Sequence, residues 1–256
     1  MGKKASNGEL IKAAKSGDEP KLLSLIQIGA NINRADEYGE TALIYAAQGT
    51  SVEIVSKLLE HGADVNWKGE RRWTPLIYAV SRNWTDGKNR TEIAKTLIEN
   101  GADIDAYDSR GESVFHFAVR SRNMDIINYL IEKGVRMNVL THGNSTPLMD
   151  AVSYPNNLEV VKVLVNAGAD LNVFPLNLFL AAVLCCKSGG GFETLKFLKE
   201  SGMQYFEHDS NGNSMIDMLR NNFRPPHQKP VDVSDVVEFL ENWRDNLTKL
   251  TKDIKT

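Results

Sequence analysis

Hydrophobic residues recur along this chain at helical spacing and stop at glycines. Residues 52–62 show the pattern: Val52, Val55, Leu58 and Leu59 stand three to four positions apart, Glu53, Lys57 and Glu60 fall between them, and Gly62 follows. That spacing predicts a helix with one buried face and one wet face. Gly62 is its stop, because glycine takes the left-handed conformation at a helix C-terminus without a side-chain clash. Ahead of it, Asp36-Glu37-Tyr38-Gly39 reads as a turn, and Ala46 and Ala47 as the small residues of a shorter helix that a neighbour can approach closely.

The same unit returns. Gly29-Ala30-Asn31-Ile32-Asn33 is followed by Gly62-Ala63-Asp64-Val65-Asn66, Gly101-Ala102-Asp103-Ile104-Asp105, Gly134-Val135-Arg136-Met137-Asn138 and Gly168-Ala169-Asp170-Leu171-Asn172, with steps of 33, 39, 33 and 34 between the glycines. A second string keeps the same phase: Thr41-Ala42-Leu43, Thr74-Pro75-Leu76, Ser113-Val114-Phe115 and Thr146-Pro147-Leu148. A fixed period with two strings in register is the mark of a stacked repeat, in which no unit buries its apolar face alone and neighbours supply the stability.

These strings resemble the ankyrin repeat, with its Thr-Pro-Leu-His-x-Ala and Leu-Leu-x-x-Gly-Ala-Asp-x-Asn signatures, over residues 8–222. The resemblance implies an all-α solenoid of helix-turn-helix units with β-hairpin fingers, about six to seven repeats long. A start unit is expected at 10–34, full units at 36–68, 69–107, 108–140 and 141–173, a degenerate one at 174–206, and a partial one from Asp209. The family's histidine in the first helix is replaced by Ile44, Ile77, Met149 and Phe179, and only His116 matches. Residues 1–7 read as a flexible tail.

The Pro-rich stretch from Phe223 cannot continue a helix, since proline lacks a donor and clashes with the preceding turn; a loop over 223–233 is expected. Beyond it, residues 234–256 carry apolar positions at Val236, Leu240, Trp243, Leu247, Leu250 and Ile254. This stripe predicts a C-terminal helix that caps the end of the stack; a partner-binding or self-pairing helix is the alternative.

Composition narrows the chemistry. Lys and Arg total 30 against 33 Asp and Glu, a formal charge of -3, so nothing draws the whole molecule to nucleic acid or anionic membranes. The two cysteines, Cys185 and Cys186, are adjacent and poorly placed for a structural bridge, which fits a reduced, cytoplasmic protein. No apolar run approaches the roughly 20 residues of a membrane span, and the N-terminus lacks a secretory signal. The five histidines fall in different units without zinc-ligand spacing, and Gly189-Gly190-Gly191 lacks the Lys and Ser or Thr of a phosphate loop. No enzyme, metal or cofactor is expected, and Cys185 and Cys186 read as buried, inert thiols.

What remains is a surface. The resemblance implies that hairpin tips and the exposed side of the first helices bind another protein. Arg71, Arg72, Trp73, Arg82, Arg110, Arg120 and Arg122 gather in two adjoining units, and the six-residue excess of the 69–107 unit falls near Trp84-Thr85-Asp86-Gly87-Lys88-Asn89. The expected contact residues are Arg71, Trp73, Arg82, Trp84, Lys88, Arg110, Arg120 and Arg122, with Tyr38 and Tyr154 as weaker candidates, because Trp, Tyr and Arg anchor interfaces. The partner is expected to offer acidic or aromatic-binding features, and the chain to be a monomer on its own. The plainer alternative is that the arginines are solvated charge paired with Glu37, Glu40, Glu70 or Glu112, and that Trp73 packs on the adjoining hairpin.

Three roles fit: a cytosolic adaptor, scaffold or inhibitor; a bacterial or viral effector delivered into a host cell cytosol; or a membrane-tethered scaffold. The last rests on Met1-Gly2 with Ser6, which fits N-myristoylation at Gly2. The resemblance also marks Asn33, Asn66, Asn138 and Asn172 as positions that an oxygen-dependent hydroxylase can modify in ankyrin proteins, although their role in the turn already accounts for them.

Overall fold

The computed structural model describes residues 2–49, 51–81, 89–187, 191–220 and 232–253. Over these the chain is helical: α1 (Gly2–Ser16), α2 (Glu19–Gln27), α3 (Ala42–Ala47), α4 (Val52–Glu60), α5 (Pro75–Val80), α6 (Arg90–Glu99), α7 (Val114–Ser121), α8 (Met124–Glu132), α9 (Pro147–Val152), α10 (Leu158–Asn166), α11 (Pro175–Lys187), α12 (Phe192–Glu200), α13 (Met215–Arg220) and α14 (Ser234–Asp253). The fold is the all-α repeat solenoid that the ankyrin resemblance implies. Two compact units divide it, residues 1–143 and 144–256. α1 begins at Gly2, within the stretch that reads as a tail, and the Pro-rich loop lies largely outside the described residues.

In the first unit the helices pair as α1/α2, α3/α4, α5/α6 and α7/α8, and each pair stacks on the next, first helix on first and second on second. Each short first helix starts the same way. The hydroxyls of Thr41, Thr74 and Ser113 accept from the amides of Ile44, Ile77 and His116, at 3.4, 3.3 and 3.4 Å, satisfying donors that a helix start leaves open. Where the family histidine is kept, His116 Nδ1 also accepts from the Ser113 amide at 3.1 Å, completing a capping box. Elsewhere the threonine suffices, so replacing the histidine leaves the helix start intact.

Ala46 and Ala47 are fully buried, and α5 packs against α3 there. In α4 the buried residues are Ile54, Val55 and Leu58, whereas Val52 and Leu59 are only half-buried. The spacing places the helix correctly and its face about one position off, because α4 meets α2, α3 and α6 together. Gly62 has φ +86° with nothing within 4 Å of where a Cβ would stand, so backbone conformation alone selects glycine there.

Hairpin asparagines tie successive repeats together. Asn33 Nδ2 donates to the Gly62 carbonyl at 3.0 Å and its Oδ1 accepts from the Asp64 amide at 2.8 Å. Asn66 repeats the pair one unit on, with Gly101 at 3.0 Å and Asp103 at 2.8 Å. Each side chain thereby satisfies two backbone groups of its neighbour at a helix end.

In the second unit α9/α10 and α11/α12 stack in the same way, and α13 meets α11 and α14. α11 has 13 residues against 6 in α9. Gly191 lets the chain return closely against it, since a Cβ there would lie 2.7 Å from the Cys185 carbonyl carbon. α14 covers the end with Val236, Val237, Leu240 and Trp243, all buried. Trp243 meets Phe179 at 5.8 Å and Tyr205 at 5.5 Å between ring centroids, as a cap should. Among the described residues no helix is long and apolar enough to cross a membrane.

Candidate protein-binding surface

Finger one, at 36–40, is folded by its own aspartate. Asp36 Oδ1 accepts from the amides of Tyr38 at 2.9 Å and Glu40 at 3.0 Å, its Oδ2 accepts from the Tyr45 hydroxyl at 2.8 Å, and Gly39 turns the chain at φ +79°. Finger three, at 108–112, repeats this. Asp108 Oδ1 accepts from Arg110 at 2.8 Å and Glu112 at 2.9 Å, with Gly111 at φ +76°.

Finger two, at 69–73, has neither part: Gly69 stands where the aspartate belongs and Arg72 where the glycine belongs. Finger one supplies the missing carboxylate. Glu40, 5% exposed, accepts at Oε1 from the Glu70 amide at 3.2 Å and from the Tyr78 hydroxyl at 2.8 Å. A Cβ on residue 69 would stand 2.5 Å from Glu40 Oε2, so any side chain there would push the carboxylate from this place. Among the described residues Oε2 has no hydrogen-bond partner. Burial holds the Glu40 carboxyl above the usual carboxylate range, against the lowering effect of the Tyr78 and Glu70 hydrogen bonds. Tyr78 is raised by burial and by the bond it donates to Glu40.

Without glycine the turn leaves two arginines in the left-handed region, Arg71 at φ +57° and Arg72 at φ +64°, each costing about 1–2 kcal/mol. Both are exposed. The Arg72 guanidinium lies over the Tyr107 ring, 5.5 Å from its centroid, and Tyr107 is itself 49% exposed. Backbone bonds join the fingers: the Ser109 amide donates to the Arg71 carbonyl at 2.9 Å, and the His142 amide to the Arg110 carbonyl at 2.9 Å.

The expected contact residues divide in this setting. Arg71 and Arg110 lie exposed on joined fingers, with Arg110 Nη2 2.8 Å from Glu112 Oε2. Arg120 is half-buried, 2.9 Å from Glu112 Oε1 and 4.9 Å over the Phe117 ring. Arg122, also half-buried, takes φ +59° at the end of α7. Trp73 is 8% exposed, which corrects its expected place at a contact surface and matches the packing alternative. Its ring meets Tyr78 at 4.9 Å and Phe117 at 5.0 Å, and Nε1 donates to Asp108 Oδ2 at 3.3 Å. It ties finger two to finger three from beneath. Tyr38 is 62% exposed on finger one, and Tyr154, 38% exposed, belongs to the second unit. Arg82, Trp84 and Lys88 lie outside the described residues, and Gly2 is the first residue of α1.

Two residues of this surface are absent from the expected contacts. Arg72 belongs to the basic cluster by sequence, and its register with Gly39 and Gly111 is the signal that marks it. Tyr107 carries no such signal, because only the stacking of finger two on finger three puts a cation over it. Cys185 and Cys186 are 4% and 3% exposed, and burial pushes the Cys186 thiol up to about 12, with Cys185 beside it adding to the shift.

Known proteins carry the same units. A Danio rerio protein bearing a palmitoyltransferase name is 25% identical over 84% of this chain and 33% of its own length. An L-asparaginase of Dirofilaria immitis is 29% identical over 49% of this chain and 21% of its own, and an ankyrin repeat protein of Rickettsia bellii is 41% identical over 48% and 37%. The chain thus spans a third or less of the first two relatives. Ankyrin repeats are generally protein–protein interaction modules and are typically not enzymes. The family model for ankyrin repeats matches residues 10–108 and 84–174, well over half of a chain whose helix pairs and fingers follow the same period, and the chain belongs to the ankyrin repeat family.

Proposed function

We propose that this chain is a non-catalytic adaptor, scaffold or inhibitor that grips a partner protein through the fingers and first helices of the first unit. The observation that carries this reading is the pair of exposed arginines, Arg71 and Arg110, on fingers joined by backbone hydrogen bonds. A rigid, basic, solvent-facing surface loses little freedom on binding, and arginine is among the residues that dominate interface energies. Arg120 and Tyr38 flank the site, and Trp73 supports it from within.

Affinity capture from native lysate tests the reading, comparing the intact chain with the double variant Arg71→Ala/Arg110→Ala. The Arg110 side chain is 64% exposed in its pair with Glu112, and pairs screened by solvent contribute at most about 1 kcal/mol, so circular dichroism should show both proteins folded alike. A partner retained only by the intact chain is the expected result. Equal capture by both would remove the fingers from consideration and turn attention to α14.

A further inference from the structure

We infer that the Arg71–Arg72 tip, with Tyr107 beneath it and Arg110 beside it, recognises an acidic peptide segment of the partner; this rests on the reading of the fingers as the binding surface. At the turn position of finger two the chain carries Arg72, where fingers one and three carry Gly39 and Gly111 at φ +79° and +76°. Glycine would relieve the strain at once, and strain of this kind concentrates where a side chain has a use. Arg71 is strained as well.

The two side chains also differ from their neighbours in how they are used. Arg110, Arg120 and Arg136 are paired with Glu112, Glu112 and Asp105. Among the described residues neither Arg71 nor Arg72 forms an ion pair, and both face solvent. Arg72 is held by an aromatic ring instead, which steadies the guanidinium while its charge and its N–H donors stay available to an anion. Paired N–H donors match the two oxygens of a carboxylate. Exposed Glu37 and Glu70 border the tip, so the positive surface is only a few residues wide. It suits a short run of Asp or Glu, and an extended phosphate backbone would meet those glutamates.

Fluorescence anisotropy with a labelled polyglutamate peptide tests this on the full chain, with a polyglutamine peptide of equal length as control. Polyglutamate should bind, weaken as salt is raised, and lose about tenfold or more in affinity with Arg72→Gly or Tyr107→Ala. Arg72→Gly should at the same time resist denaturant at least as well as the natural protein, separating recognition from folding. Undiminished polyglutamate binding by Arg72→Gly, equal binding of polyglutamine, or equal displacement by a short DNA duplex would each overturn the inference. If the lysate partner depends on Arg71 and Arg110 while polyglutamate does not bind, the binding surface stands and the acidic recognition falls. If the lysate partner is indifferent to both arginines, the broader reading falls first.

Discussion

Glu40 belongs to finger one by sequence and to finger two by function. Its carboxylate takes the Tyr78 hydroxyl as Asp36 takes that of Tyr45, accepts from the Glu70 amide besides, and burial keeps its proton affinity high. A carboxyl whose folded pKa lies above its unfolded value contributes stability that is fully present below the unfolded pKa and is lost as pH rises through the folded one. The natural protein should therefore lose stability relative to Glu40→Gln as pH rises from about 4 toward neutrality, as read by denaturant melts at several pH values; a pH-independent difference would refute the assignment. Trp73 shows what register can reveal. It occupies the position of Glu40 and Glu112, which are 5% and, in the side chain, 12% exposed, so in all three fingers of the first unit that position points inward. Trp73→Ala should cost about 3 kcal/mol, and a cost below about 1 kcal/mol would contradict the packing described.

Among the elements, α14 has the clearest origin in sequence and the least legible placement. The stripe of Val236, Leu240 and Trp243 predicts a helix with one apolar face, yet nothing local says which surface it covers. In the fold Trp243 meets Phe179 of α11 and Phe239 meets Phe192 of α12 at 5.5 Å, while Lys199 lies 4.5 Å over the Phe239 ring. The degenerate repeat, with Phe179 in place of the family histidine, thus meets the capping helix through an apolar ring contact. Trp243→Ala should destabilise the protein by about 3 kcal/mol in chemical denaturation and leave finger-mediated capture unchanged, because the fingers belong to the other unit.

Within each unit of the molecule, stability comes from neighbours in a row. Cys185 and Cys186 report on it without any substitution. Both are buried, and a thiol raised to about 12 carries almost no thiolate at neutral pH. Thiol labelling in native buffer should therefore be slow and should rise in parallel with helix loss as denaturant is added. Fast labelling of the native protein would mean that α11 opens without unfolding.

Period, helix starts and stops, and membership in the ankyrin repeat family are all legible in the sequence, because each depends on residues within one turn or one repeat. The sequence also gathers basic residues in two adjoining units, which is enough to point at a surface. Which of those side chains face water is settled only when the repeats stack. The loan of Glu40 to finger two, the burial of Trp73 against Phe117 and the seat of Arg72 over Tyr107 all join residues about 30 to 45 positions apart. Contacts of that kind exist only once one repeat has stacked on the next: register can mark the positions of Trp73 and Arg72, but local spacing does not name the residues they meet.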